Sequence, residues 1–244
     1  MSLEKLREKG FDIAFHGHAE AILEVDFPEC LQELETVLAP VIFPIHEIVG
    51  SGGGETKGTQ RLRRALTEMS WRKGKFVIKK IINGRERESR THEIDHVRTL
   101  DEVGTLVLEI EWNNKDPFFD RDLENFKRLH AEGAISAGIM ITRGASLQSA
   151  FLDLVEKFGV RENLQSVEDL ARLDLAPSKR QKADYARRQR GNKTFVRSWA
   201  ESFVADKFGA ATTHWRKLED RIQRGVGSPC PLLLIGLPVS IVTR

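Results

Sequence analysis

The chain has 244 residues, of which 40% are hydrophobic and 30% charged, a composition typical of a globular protein. This length suits one hydrophobic core, so we predict a single domain over residues 1–244. No run of residues is long and apolar enough to cross a membrane, and the first nine residues do not resemble a signal peptide. The two distant cysteines favour a reduced, cytoplasmic protein over a disulfide framework.

Charge is distributed unevenly along the chain, although the net charge is only +2. Residues 57–90 contain twelve Lys or Arg and three Glu, and residues 179–197 contain eight Lys or Arg and one Asp. The acidic residues are concentrated in the first 55 positions and in 93–124. This asymmetry indicates basic surfaces around an acidic centre, although each basic run could also be an ordinary solvated face.

Hydrophobic periodicity predicts the elements of the first third of the chain. In chain order they are a strand at Phe11–His16 that residues 19–25 could extend, a helix at Cys30–Leu38, a flexible glycine-rich loop at Gly50–Gly58 and a helix at Thr59–Ser70. The loop lacks the Gly-Lys-Ser/Thr sequence of a phosphate-binding P-loop.

The centre of the chain is predicted to alternate between strands and helices. The predicted elements are strands at Lys75–Ile82 and Arg85–Ile94 joined by an Asn83-Gly84 turn, a loose stretch at 98–104, a strand at 105–112, a helix at Pro117–His130, a strand at Ala134–Thr142 and a helix at Ser146–Phe158. This β–β–α–β–α order predicts an α/β fold in which helices flank a mixed sheet.

The last third begins with a charged stretch, 160–198, that we predict to be irregular. It is followed by predicted helices at Phe195–Phe208 and Trp215–Arg224 and by a buried strand at Pro231–Leu237.

Three carboxylates are the residues on which the functional interpretation depends. Glu109 and Glu111 share one face of the strand 105–112, because side chains alternate along a strand. Asp95 is expected at the end of the preceding strand, where a hairpin could place it beside them. Adjacent buried carboxylates are costly unless a cation compensates, and Mg²⁺ prefers oxygen ligands. These residues with the Ile110 carbonyl could therefore form a magnesium site, with Glu111 accepting a proton from water.

The order of Asp95, a spacer and Glu109-Ile110-Glu111 resembles the core motif of PD-(D/E)XK nucleases. The blocks Ile94-Asp95 and Leu108–Phe118, with the following helix and strand, resemble type II restriction endonucleases of the BglII/BstYI family. Residues 20–38 and 215–237 are similar to the terminal parts of that family. The resemblance implies a Mg²⁺-dependent homodimer that cuts double-stranded DNA at a palindromic site containing GATC, leaves 5′ four-base overhangs, and has a cognate DNA methyltransferase in the same genome.

Carried over position by position, the resemblance makes Asp95, Glu109 and the Ile110 carbonyl the metal ligands. Glu111 stands where the superfamily usually has Lys and where BglII and BstYI have an amide, so its role as general base or metal ligand stays open. The basic run 179–197 has no counterpart in smaller relatives, and residues 160–212, which contain it, are expected to form an inserted DNA-binding arm or subdomain. The expected DNA contacts are Lys73, Asn113, Lys115, Arg187, Arg188, Arg190, Thr213 and His214.

Two alternatives remain at the level of sequence. A repair or structure-specific nuclease on the PD-(D/E)XK core would need neither a palindrome nor a dimer. A DNA-binding protein without catalytic activity is disfavoured, because all three carboxylates are present.

Overall fold

The computed structural model describes residues 3–50 and 54–244. Its strands are β1 (Asp12–His16), β2 (Phe43–Pro44), β3 (Arg72–Ile82), β4 (Arg85–Leu100), β5 (Gly104–Glu111), β6 (Ala137–Arg143), β7 (Leu232–Leu237) and β8 (Val242–Thr243). Its α-helices are α1 (Glu4–Glu8), α2 (Ala19–Val25), α3 (Pro28–Leu38), α4 (Ile45–Val49), α5 (Lys57–Glu68), α6 (Pro117–Ala131), α7 (Ala145–Arg161), α8 (Lys179–Gln189), α9 (Phe195–Lys207) and α10 (Trp215–Gln223). None of the helices in these ranges has the length and apolar character that a membrane crossing requires.

Six strands form a mixed sheet in the order β1-β7-β6-β5-β4-β3. The central strands β5, β6 and β7 are parallel, and β1, β3 and β4 extend the sheet with antiparallel pairs. Every residue of β6 and β7 is buried, as expected for parallel strands covered on both faces. The sequence-based expectation of an α/β fold with a mixed sheet is therefore confirmed.

Helices cover both faces of this sheet and form two apolar cores. The larger core joins the sheet to α3, α5, α7 and α9, and includes Trp71 and Trp112. The smaller core lies on the opposite face, where Phe119 and Phe126 of α6 and Leu218 of α10 pack against Val107 of β5. Alternate residues of β5 therefore enter different cores, which fixes the face on which its charged residues lie.

The segment Ala19–Val25 is a helix and does not extend the first strand, so that expectation was wrong. The chain turns at Gly17 and His18, both of which have positive φ. Ala19 and Leu23 are buried while the residues between them are more exposed, a spacing of four that belongs to a helix.

β4 is longer than the sequence indicates, since it continues through Asp95 to Leu100. Its register with β3 changes from Arg72–Val97 to Gly74–Ile94, so β4 has one extra residue between Ile94 and Val97. Such a β-bulge redirects side chains and interrupts the alternating pattern, which explains why the strand seemed to end near Asp95.

Residues 160–198 are more regular than predicted, because they include a 3₁₀ helix at Glu168–Leu173 and the helix α8. Tyr185 of α8 and Trp199 of α9 are buried in the larger core with the residues of α7. The region 160–212 thus packs on the main body of the protein, and its expected role in DNA binding stays a prediction.

Candidate active site

Asp95 and Glu109 are brought together by the pairing of β4 and β5. His96 lies opposite Leu108, and continuing this register places Asp95 opposite Glu109. Directly opposed residues of an antiparallel pair share a face of the sheet. The Glu109 carboxyl interacts with the Asp95 side chain and accepts a hydrogen bond from the Asp95 backbone N–H. Asp95 and Glu109 therefore meet, while their assignment as metal ligands stays a prediction.

Glu109 and Glu111 are both buried on the α6 side of the sheet, with exposures of 5% and 3%. Burial, reinforced by the carboxyl groups of Asp95 and Asp122, raises the pKa of Glu109 to about 9. Burial and the neighbouring Asp122 raise the pKa of Glu111 as well. The side chains around Glu109 and Glu111 therefore provide too little positive charge to balance these two carboxylates in their ionised form.

Asp122 of α6 also belongs to this acidic cluster. It is only 1% exposed, and its carboxyl group interacts with that of Glu111. Arg121 donates from Nε to Asp122 Oδ1 at 2.7 Å, and its Nη2 lies 3.7 Å from Glu111 Oε1. Asp122 lies three residues after Phe119 and four before Phe126, both of which are buried. This helical spacing is the signal in the sequence that could have identified Asp122 as a buried residue.

Two hydrogen bonds hold the end of β5. Asn114 donates from Nδ2 to Glu111 Oε2 at 2.7 Å, and Thr142 donates from Oγ1 to the Glu111 carbonyl at 2.8 Å. Asn114 was not singled out from the sequence, because its effect depends on how the chain turns after β5. These contacts orient Glu111 from both its side chain and its backbone.

A cleft of about 490 Å³ opens beside the acidic cluster. Its lining includes Asp95, His96, Ile110, Asn113 and Asn114 from the sheet and its following loop, and Thr56, Thr59 and Arg63 from the start of α5. Asp95 both lines this cleft and contacts Glu109, so it connects the cleft to the buried carboxylates.

The chemistry of the cluster fits a divalent cation that prefers oxygen. Asp122 Oδ2 is buried and has no hydrogen-bond partner among the described residues. Asp95, Glu109 and Glu111 add carboxyl oxygens, which are the ligand type that Mg²⁺ takes. In the described part of the chain, no three His, Cys, Asp or Glu side chains form a ready-made metal cage. The donor types therefore suit Mg²⁺, and the final ligand set stays a prediction.

Three of the predicted DNA-contacting residues lie near the cleft. Asn113 is half-buried in the cleft lining, and Lys115 is exposed just after it. Lys73 is exposed on β3 and forms an ion pair with Glu93 at 3.0 Å. The negative charges of Asp95 and Glu109 also act on Lys73 and help to raise its pKa.

Thr213 and His214 lie in a loop that is tied to the chain after β5. The Thr213 N–H donates to the Asn114 carbonyl at 2.8 Å, and Lys115 and Thr212 form an isolated antiparallel bridge. Both Thr213 and His214 are buried, and burial lowers the pKa of His214 to about 4. In the structure, Thr213 and His214 support the loop that follows β5. Direct contact of these two residues with DNA stays a prediction.

The predicted arginines of α8 differ in how they are held. Arg187 and Arg188 both form ion pairs with Asp184, and Arg188 also reaches Glu201 of α9 at 3.5 Å. Arg190 is exposed at the end of α8. Arg188 thus links two helices, while Arg190 is presented to solvent.

A mixed sheet with helices on both faces, and with acidic side chains paired across two neighbouring strands, is consistent with the fold of a restriction endonuclease. The model of the restriction endonuclease BglII/BglIII family matches residues 11–237, nearly the whole chain, and the protein belongs to this family. It is therefore a restriction endonuclease, and DNA is its substrate. No curated protein matches the chain.

Proposed function

We propose that this restriction endonuclease is a type II enzyme that hydrolyses both strands of duplex DNA at a palindromic site containing GATC and leaves 5′ four-base overhangs. The observation that supports the catalytic part is the pairing of Asp95 and Glu109 at the edge of the cleft, with Glu111 on the same face. The GATC core and the overhang are proposed from the family resemblance.

The proposed roles follow from the positions of the side chains. Asp95, Glu109 and the Ile110 carbonyl would hold Mg²⁺. When bound, this ion supplies stabilisation of the charge that develops on the phosphate and lowers the pKa of a water. Glu111, oriented by Asn114, is the proposed acceptor of the proton from the attacking water. Asn113, Lys115 and Lys73 are proposed to position the DNA backbone.

Glu109→Gln tests the metal-binding role. We expect the rate of plasmid cleavage in Mg²⁺ to fall by more than about a hundredfold, because losing even an indirect partner of a metal ligand typically costs 10- to 100-fold. Binding of a duplex, measured by fluorescence anisotropy without divalent cations, should persist. A matched control is Glu29→Gln, which removes an exposed carboxylate of α3 that pairs with Arg98.

The control should cut like the wild type. Substantial cleavage by Glu109→Gln would contradict the assignment of Glu109. Sequencing the ends of wild-type digestion products would test the recognition site separately, since fragments without GATC at their ends would overturn that part of the proposal and leave the catalytic part intact.

A further inference from the structure

The outer part of the β3–β4 hairpin, residues 75–91, projects from the body of the protein, and we call it the hairpin arm. Every residue from 79 to 91 is exposed, and Ile81 is 63% exposed at the tip. At about 3.4 Å per residue, the eight residues from Lys75 to Ile82 span about 27 Å.

The two faces of the hairpin arm differ. On the inner face, Phe76 and Ile78 pack against the smaller core beside α6. On the outer face, Lys75, Val77 and Lys79 alternate with the inward residues, and Val77 is 50% exposed. One face therefore anchors the arm, and the other is presented to solvent.

The hairpin arm is strongly basic. It contains six Lys or Arg and two Glu, a net charge of +4 in a chain whose total is +2. On its outer face, Thr91 lies opposite Val77 and Ser89 opposite Lys79. Lysine, serine and threonine are among the side chains that donate hydrogen bonds to phosphate oxygens. Two copies of so basic a surface would repel one another, so the charge favours a polyanion over a second copy.

The base of the hairpin arm adjoins the candidate active site. Lys73 precedes the arm on the same face of β3 as Lys75, and Glu93, which binds Lys73, lies opposite Lys75. The β-bulge that carries Asp95 follows directly on β4. A duplex whose scissile phosphate lies at Asp95 would thus have its neighbouring phosphates near the arm.

We propose that the outer face of the hairpin arm is a second DNA-contacting surface, which binds the phosphate backbone beyond the bond that is cut. This inference rests on the proposed function, because it takes the bond near Asp95 as the point of cleavage. The contacts are to the backbone, so they strengthen binding to any sequence and carry no base specificity.

The test is the salt dependence of binding to a duplex containing GATC, measured by fluorescence anisotropy in EDTA. For the double variant Lys75→Gln/Lys79→Gln, we expect the slope of log K against log salt to become shallower by about 1.8, since each lost phosphate contact contributes about 0.9. The control is Lys5→Gln/Lys157→Gln, which removes two exposed lysines of α1 and α7, each ion-paired as Lys79 is with Glu86. It should keep the wild-type slope.

Equal slopes for the wild type and the Lys75→Gln/Lys79→Gln variant, with circular dichroism showing both folded, would overturn the inference. If Val77→Ser/Ile81→Ser instead converted a dimer to a monomer in sedimentation while its salt slope stayed at the wild-type value, the arm would bind a second copy and the inference would also fail. Failure of the proposed function is a different outcome, because the wild-type protein itself would then bind no duplex or would not cleave DNA in Mg²⁺.

Discussion

Asn114 determines how Glu111 is presented at the end of β5. Its Nδ2 donates to Glu111 Oε2 at 2.7 Å, while its own carbonyl accepts from the Thr213 N–H at 2.8 Å. The residue is therefore held by its backbone and uses its side chain to orient a carboxylate. A hydrogen bond to a charged group contributes about 1.5–3 kcal/mol, which is enough to select one position of Glu111.

Replacing Asn114 with Ala should slow cleavage by about tenfold or more, because Glu111 would lose the hydrogen bond that orients it. The measurement is single-turnover cleavage of a duplex at saturating enzyme, so that a change in DNA affinity does not enter the rate. Asn114→Asp places a second carboxylate against Glu111 and should be slower still. A single-turnover rate equal to that of the wild type in both variants would exclude this orienting role.

The residues of the candidate site were predictable to different degrees. Alternation along one strand is enough to put Glu109 and Glu111 on one face, so this prediction did not require knowing which elements pack against the strand. Asp122 is added by α6, so its contact with Glu111 depends on how a helix packs over the sheet. Asn114 reaches Glu111 because of the conformation of the loop after β5, and the residues next to Asn114 in the sequence do not reveal that conformation. Tertiary contacts of this kind are not visible in the periodicity of a single segment.

At the scale of elements, Arg143 links the end of β6 to the loop before α10. It is fully buried, its guanidinium lies 5.5 Å from the centroid of the Phe151 ring and 4.9 Å from that of Phe208, and its Nε donates to the Thr213 carbonyl at 3.1 Å. Its Nη2 donates to Thr212 Oγ1 at 2.6 Å. Burial lowers the pKa of Arg143 to about 9. Burying a charged guanidinium costs free energy. The hydrogen bonds that Arg143 donates to the loop before α10 offset part of this cost and hold that loop in one position.

Arg143→Met should loosen the loop before α10 and, through it, the loop that follows β5. The Thr213 carbonyl would lose a donor, at a local cost of about 1–3 kcal/mol, so amide exchange of Thr213 should become about 10- to 100-fold faster. Hydrogen exchange followed by mass spectrometry of peptides covering 112–116 and 209–214 measures this. The peptide covering β7 serves as an internal control, and unchanged protection of both loops would contradict the linking role.

The predictability of the elements follows from how evenly each one is buried. β6 and β7 are buried throughout, and their apolar runs identified them from the sequence. β4 is polar and exposed over its first half and is interrupted by a bulge near Asp95, so neither composition nor alternation revealed its full length. α2 is short, and its apolar residues alternate along the sequence as in a strand, so the sequence alone did not distinguish a strand from the helix that the burial shows. Irregular pairing and short elements therefore set the limit of the sequence-based prediction.

At the scale of the whole molecule, the chain has one pairing of Asp95 with Glu109, whereas a duplex has two strands to cut. A palindrome presents the same sequence on both strands, so two copies related by a twofold axis would each place one such site on one strand. The proposed enzyme is therefore a homodimer of twice the 27.7 kDa chain mass. By analogy with the family that the chain resembles, we predict the interface at α6, which carries Asp122 on its inner side and Phe118, 37% exposed, at its start.

A mixed dimer of wild type and Glu109→Gln tests this arrangement, because only one of its two sites could hydrolyse a strand. On a plasmid with a single recognition site, the wild-type dimer should give linear DNA with little nicked circle, while the purified mixed dimer should stop at the nicked circle. Differently tagged chains allow the mixed dimer to be isolated, and sedimentation confirms its mass. Full linearisation by the mixed dimer would mean that one site cuts both strands in turn. Accumulation of nicked circles by the wild type would mean that the two strands are cut by chains acting independently.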